Sequence, residues 1–373
     1  MKKIMETSHA IAEAVKLCDP KVISAFPITP QTHIVEKLAD MVADGDLDAE
    51  YLNVESEHSA ISACVGAQAA GVRTYTATAS QGLALMHEIL FIASGMRLPM
   101  VMTIANRALS GPLNIWNDWS DSIASRDSGW LQLYCETAQE ALDTTIQAYK
   151  IAENEKVLLP VMVCVDGFIL SHVYEPVDIP KKTDVKKFLP DYAGPIMDFD
   201  KPITQGTWAG PEEYQGFKKM QQDAMTNALK VIQDTNKDFA EQFDRSYGNG
   251  LIELFNMKDA KYAIISMGSV CGTIKHVMEK NNIKDVGLIR IKSYRPFPVK
   301  ELQKSLKNIQ SAAVLEKDIS LGSAGALMAD VKYASNMPMT NIISGLGGRD
   351  ITEKMVLESF EYARNIKEGL IWL

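Results

Sequence analysis

Four near-continuous apolar runs constrain the fold of this chain more than any other feature: RTYTATA (73–79), LPMVMTIA (98–105), WLQLY (130–134) and VLLPVMVCVDG (157–167). A strand with one wet face alternates polar and apolar residues, so runs that do not alternate belong to strands covered on both sides. Helical spacing fills the intervals. GLALMHEILFIASG (82–95) keeps an apolar period and stops at Gly95, while TAQEALDTTIQAYKIAEN (137–154) opens with Thr137 and Glu140 at capping-box spacing. Buried strands separated by helices predict an α/β fold built on a mostly parallel sheet.

Past residue 170 the texture changes. Prolines recur without sustained periodicity through 173–212, and retained aromatic and apolar residues predict an ordered strap rather than a free linker, followed by a polar helix near 215–243. A second α/β unit then reads as strand YAIISMGS, helix CGTIKHVMEKN, strand VGLIRIKSY, a helix after Pro298, strand SAAVLEKD, a helix near 324–334, strand TNIISGLGG and a last helix from Thr352. The expected organisation is a first domain over 1–250, with its core in 1–172 and the strap and helix in 173–250, and a second over 251–373. That division suits 373 residues, too many for one core.

Composition removes several functions. The chain is 46% apolar and 23% charged, with no run of ~18 apolar residues able to cross a bilayer, and its start lacks a signal-peptide core; a cytoplasmic protein is expected. A net charge of −9 speaks against nucleic acid. The five cysteines are too dispersed for a local iron–sulfur cluster and read as reduced and buried. No glycine-rich turn spells a dinucleotide or phosphate loop, and the six histidines show no metal-ligand spacing, so no metal site is indicated.

Three loops remain at the carboxyl ends of expected parallel strands, where α/β sheets bind ligands. NVESEHSAISA (53–63) puts Glu55 and Glu57 at a helix start; either is as ordinary there as a dipole-answering cap. FPITPQT (26–32) stiffens the backbone around Thr29 between Pro27 and Pro30. ANRALSGPLNIWNDWSD (105–121) offers Arg107, whose fork suits a carboxylate or phosphate. One hydroxyl, one carboxylate and one guanidinium then stand at three strand ends of one domain. Chemistry at this level does not choose between Glu55 and Glu57.

AFPITPQT, NVESEHSAISACVGAQAAGVRTYTATASQGLALMHE, NRALSGPLNIWNDWSD, RDSGWLQLY, LPVMVCVDGFILSH, YRPFP, VLEKDISLG and GLGGRDIT, in that order, resemble the alpha subunit of the 2-oxoacid:ferredoxin oxidoreductase family, most closely its pyruvate type. The resemblance implies the pyrimidine-binding domain of a thiamine diphosphate enzyme followed by a transketolase C-terminal-like α/β domain. It implies that Glu57 hydrogen-bonds N1′ of the cofactor, that Pro27 lies beside it, and that Thr29 and Arg107 hold the 2-oxoacid. The implied reaction is coenzyme A-dependent oxidative decarboxylation of pyruvate to acetyl-CoA and CO2, with electrons passed to ferredoxin. The diphosphate motif of such enzymes, Gly-Asp-Gly with an Asn pair, is absent: DGDL (44–47) lacks the second glycine and Asn281-Asn282 stands far away. The resemblance therefore implies partner chains, a diphosphate-binding subunit, a gamma subunit and an iron–sulfur subunit, carrying Mg2+ and the 4Fe-4S clusters, with activity only in the assembly. Related types acting on branched-chain 2-oxoacids, 2-oxoglutarate or indolepyruvate are the nearest alternatives, and a non-catalytic binding subunit, with a nucleotide at GLGGRD, is a more distant one.

Overall fold

The structure, a computed structural model, describes residues 2–373 except Pro195 and Phe199. Two large sheets organise it. The first has seven strands in the order Ser293–Arg295, Leu131–Tyr134, Val161–Asp166, Val101–Asn106, Thr74–Thr78, Val22–Ala25 and Glu50–Asn53, all neighbours parallel except the first pair. Every residue of Thr74–Thr78, Val101–Asn106, Leu131–Tyr134 and Val161–Asp166 is buried. Burial on both faces is why their sequences do not alternate. The second sheet runs Leu370–Trp372, Met339–Ile343, Ser311–Glu316, Tyr262–Ser266, Val286–Ile291 and Ile252–Phe255, antiparallel only in the last pair. A small antiparallel pair, Lys2–Glu6 with Tyr174–Asp178, closes the amino end onto the start of the strap.

The expected helices form at Glu57–Ala69, Ala138–Ala152, Pro211–Phe243, Val270–Lys280, Val299–Leu306, Ala326–Ala334 and Glu353–Arg364, and Thr32–Ala43 adds one that the sequence did not announce. Pro211 enters its 33-residue helix at the first position, where its missing N–H costs no bond. Three local expectations change. The single helix over 82–95 is two, Ser80–Leu85 and His87–Gly95, interrupted at Met86. The box at Thr137 is half formed: its side chain accepts from the Glu140 N–H at 3.2 Å, but the Glu140 carboxylate accepts from the Glu136 N–H (2.8 Å), one residue before the cap, and from Arg290 (2.5 Å) and Lys292 (2.6 Å). VGLIRIKSY is two strands, and its second half, Ser293–Arg295, leaves its neighbours to pair with Leu131–Tyr134 in the first sheet.

That crossing, with the buried charges, joins the two sheets. Glu140 receives Arg290 and Lys292 from the second unit, and Arg290 also reaches Glu253 at 2.7 Å. A second joint lies at the strands' carboxyl ends. Asp166, ending its strand, accepts from Lys317 Nζ (2.9 Å), Trp119 Nε1 (2.8 Å) and the Ser269 N–H (3.1 Å). Lys317 follows Ser311–Glu316 and Ser269 follows Tyr262–Ser266, so the carboxyl edges of both sheets meet there. The strap lies over the end of helix Glu57–Ala69, where Met197 N–H donates to Ala69 O at 3.1 Å and Arg73 reaches Pro190 O.

Candidate active site at the carboxyl edge of the first sheet

Four adjacent parallel strands deliver four loops to one edge: Glu50–Asn53 leads to Glu57, Val22–Ala25 to Thr29, Thr74–Thr78 to Ser80, and Val101–Asn106 to Arg107. Glu57 is the first residue of its helix. Ser56 caps that helix by accepting from the Ser59 N–H at 3.2 Å, which leaves the Glu57 carboxylate unneeded as a cap. Glu55 and Glu57 separate at once. Glu55 is exposed and bonded to Ser59 Oγ at 2.5 Å, whereas Glu57 is 7% exposed. Among the described residues no hydrogen bond or ion pair engages the Glu57 carboxylate. It lies against Gly82, where an added Cβ would stand 2.7 Å from its Oε1 and 2.8 Å from its Cγ. Beside it the buried Thr78 Oγ1 has no partner among the described residues.

Arg107 and Thr29 are in direct contact. Arg107 Nη1 donates to Thr29 O at 2.9 Å and Nε to Asn114 O at 3.0 Å. The expected open fork is thus partly spent on backbone, and Nη2 is the nitrogen with no described partner. Arg107 is buried, while Thr29 and Pro27 stand exposed on the loop before helix Thr32–Ala43. Among the described residues no hydrogen bond or ion pair links Glu57 to either one. Three strand spacings separate its strand from that of Arg107, about 14 Å.

Asp121, quoted within WNDWSD but not singled out, holds this edge together. Its Oδ2 accepts from the Ser80 N–H (2.9 Å) and the Arg107 N–H (3.0 Å), and its Oδ1 from Asn106 Nδ2 (2.8 Å). Burial pushes its carboxyl up to about 6, so it still ionises at neutral pH. GLGGRD packs behind the same loop. Asn114 Nδ2 donates to Gly347 O at 3.1 Å, and a Cβ at Gly347 would stand 2.5 Å from Asn114 Nδ2. Those glycines buttress the Arg107 loop rather than cradle a nucleotide. The Asp44–Leu47 turn precedes strand Glu50–Asn53, at the sheet edge away from Glu57.

Residues 13–237 match the family model described as pyruvate flavodoxin/ferredoxin oxidoreductase, thiamine diphosphate-binding, and 260–356 match pyruvate:ferredoxin oxidoreductase core domain II. The chain belongs to the pyruvate flavodoxin/ferredoxin oxidoreductase family. Pyruvate synthase subunit PorA of Methanocaldococcus jannaschii is 59% identical over 94% of this chain and 91% of its own length; the Pyrococcus furiosus PorA is 51% identical over 100% and 96%. A ketoisovalerate oxidoreductase subunit VorA, from Pyrococcus abyssi, is 42% identical over 99% and 95%. Among solved structures, a 2-oxoglutarate:ferredoxin oxidoreductase from Magnetococcus marinus superposes with a TM-score of 0.78 at 20% identity, over 97% of this chain and 65% of that one. A split-gene transketolase gives 0.54 at 12% identity, over 98% and 99%. These two likenesses bear on fold, a mixed α/β architecture with parallel sheets.

The site suits the thiamine diphosphate in the family's description. A shielded carboxyl without a partner, held in a recess that only glycine at 82 leaves open, is what a protonatable ring nitrogen requires.

Proposed function

We propose that this chain is the alpha subunit of a pyruvate:ferredoxin oxidoreductase, active only with its partner chains, which together convert pyruvate and coenzyme A to acetyl-CoA and CO2 and pass electrons to ferredoxin. The observation that carries the reading is near-full-length identity of 46–59% to several pyruvate synthase PorA subunits, against 42% to the ketoisovalerate VorA subunit. Thiamine diphosphate, when bound, supplies the carbanion that adds to the 2-oxo carbon and the sink for the electrons left when CO2 departs.

The residues of this chain do the positioning. Glu57 would hold N1′ of the aminopyrimidine by a hydrogen bond from its carboxyl, and that contact would favour the 4′-imino tautomer that takes part in removing the C2 proton. Its shielding from water would strengthen that hydrogen bond. Pro27 would lie beside the same ring. Arg107, with Nη2 uncommitted, grips the substrate carboxylate, and its Nη1 fixes the loop presenting the Thr29 hydroxyl to the substrate. The distance between the Glu57 and Arg107 strands leaves room for a cofactor ring and a three-carbon acid between them. We assign the diphosphate and its Mg2+ to a second subunit, and the 4Fe-4S clusters to an iron–sulfur subunit beside a gamma subunit. Leu52, Leu85, Phe91 and Ile92, exposed around the Glu57 helix, would lie under such a partner. The reading places the assembly in the cytoplasm; among the described residues no helix is long and apolar enough to cross a membrane.

The test is reconstitution. The chain, combined with its partner subunits, should reduce a viologen dye in a pyruvate- and coenzyme A-dependent reaction, with 2-oxoisovalerate and 2-oxoglutarate turned over at least ~10-fold less efficiently. Preference for either of those acids would reassign the substrate, and activity of the chain alone would refute the division of labour.

A further inference from the structure

Glu6, His33 and His172 come from three distant parts of the chain, yet one ligating atom from each lies within 4.8 Å of the others. Glu6 ends strand Lys2–Glu6, His33 stands in the first turn of helix Thr32–Ala43, and His172 follows strand Val161–Asp166. We propose that these three residues bind a divalent transition-metal ion of zinc-like character through two imidazole nitrogens and one carboxylate oxygen, with a fourth position open to water.

The carboxylate is set apart for this task. Glu6 occupies the N-cap position of helix Thr7–Cys18, where an acidic side chain would ordinarily accept from the helix's free N–H groups, but it makes no capping bond. It points instead at His33 Nδ1, 2.7 Å away. Glu6 is 4% exposed, and no lysine or arginine among the described residues pairs with it. A buried carboxylate needs a cation, and this one is offered imidazoles. His172 is already oriented as a ligand. Its Nδ1 lies 2.7 Å from Ser171 Oγ, which leaves Nε2 as the nitrogen free for an ion, and Ser171 is itself pinned because its Oγ accepts from the Phe168 N–H at 2.9 Å and its O from Ser8 Oγ at 2.7 Å. The His33 and His172 rings lie 4.5 Å apart. Tetrahedral ligands at ~2.0–2.1 Å from zinc are about 3.3 Å apart. Closing the set therefore takes rotamer adjustments near an ångström, with the Glu6–His33 hydrogen bond exchanged for two metal bonds.

The place gives the ion a role. His33 follows the Thr29 loop by four residues, and Pro30 of that loop packs so closely on Gly167 that a Cβ there would stand 2.7 Å from Pro30 Cγ. An ion bridging His33 to His172 would clamp the substrate loop to the turn behind it. It would act as a structural brace and take no part in bond making. Histidine spacing in the sequence gives no hint of it, because the three ligands meet only through the fold.

The experiment is Zn2+ titration of the chelator-washed full-length chain by calorimetry, with X-ray absorption on the loaded protein. One Zn2+ per chain is expected at micromolar affinity or tighter, with a shell of nitrogen and oxygen only. His33→Gln and His172→Gln should each weaken it at least ~10-fold, while His276→Gln, on helix Val270–Lys280, should not. Absence of binding to the wild-type chain would leave only a carboxylate–imidazole pair and overturn the proposal. Sulfur in the shell, or undiminished binding in the His33→Gln/His172→Gln double variant, would do the same. The absorption measurement needs no variant, so it decides the matter even if a substitution impairs folding.

Discussion

Gly82→Ala tests the recess around Glu57 without replacing the acid itself. In the structure a Cβ at this position would meet Glu57 Cγ at 2.8 Å and Glu57 Oε1 at 2.7 Å, and would press on Thr78 Oγ1. Ordinary contact begins near 3.4 Å, so the glutamate must retreat by about 0.6 Å or more. Misplacing a positioned group by about an ångström costs on the order of 100-fold in rate. Folding should suffer much less. Alanine gains up to about 1 kcal/mol of helix propensity within Ser80–Leu85 and loses about 1–3 kcal/mol to overpacking, a net penalty of about 0–3 kcal/mol. The assay is pyruvate-dependent dye reduction by the reconstituted assembly, beside thermal unfolding of the chain. Gly66→Ala is the matched control: it lies in helix Glu57–Ala69 with nothing within 4 Å of its added Cβ, so stability should rise by up to about 1 kcal/mol with the rate unchanged. A Gly82→Ala enzyme of full activity would refute the claim that the Glu57 recess is built to tight tolerance.

Two further outcomes follow from the charges. Arg107→Lys keeps a cation but loses the fork that serves both Thr29 O and the substrate, so kcat/KM for pyruvate should fall by about 2–5 kcal/mol, with a larger loss in Arg107→Ala; equal activity in both variants would move the carboxylate site elsewhere. Glu140 supplies a pH dependence of folding. Burial alone would raise its carboxyl, but Arg290 and Lys292 hold it down to about 2. A carboxyl with a depressed folded value contributes stability above its unfolded value near 4.5 and loses it as pH falls toward 2, at most about 3 kcal/mol. Glu140→Gln should abolish that contribution and cost about 3–5 kcal/mol at neutral pH by stranding two buried cations, measured by denaturant unfolding between pH 2 and 7. Unchanged acid sensitivity in the variant would place the titrating group elsewhere.

What could be read from the chain alone follows the range of the forces involved. Strands such as Val161–Asp166 announced themselves because burial on both faces removes alternation, a property each segment carries by itself. The rim of Thr29, Glu57 and Arg107 was foreseeable because parallel strands put their carboxyl ends on one edge, and Thr29 with Arg107 indeed touch. Elementary chemistry did not choose between Glu55 and Glu57. The distinction is one of burial, with Gly82 packed against the Glu57 side chain, and family resemblance alone pointed to it. Features that depend on two distant segments were out of reach. Ser293–Arg295 joins the first sheet because Leu131–Tyr134 offers a free edge, Glu140 meets charges 150 residues away beside its bond to the Glu136 N–H, and Asp121 ties two loops through their backbone N–H groups. No local pattern encodes such meetings.

The account rests on the Glu57 carboxyl acting at N1′ of the cofactor. Deuterium exchange at C2 of thiamine diphosphate, followed by quenched-flow NMR in the assembled enzyme without substrate, addresses that step alone. Glu57→Gln, which keeps the shape and removes the acid, should lower the exchange rate by at least ~100-fold, within the range of general acid–base contributions. Exchange at the wild-type rate in that variant would contradict the role assigned to this side chain.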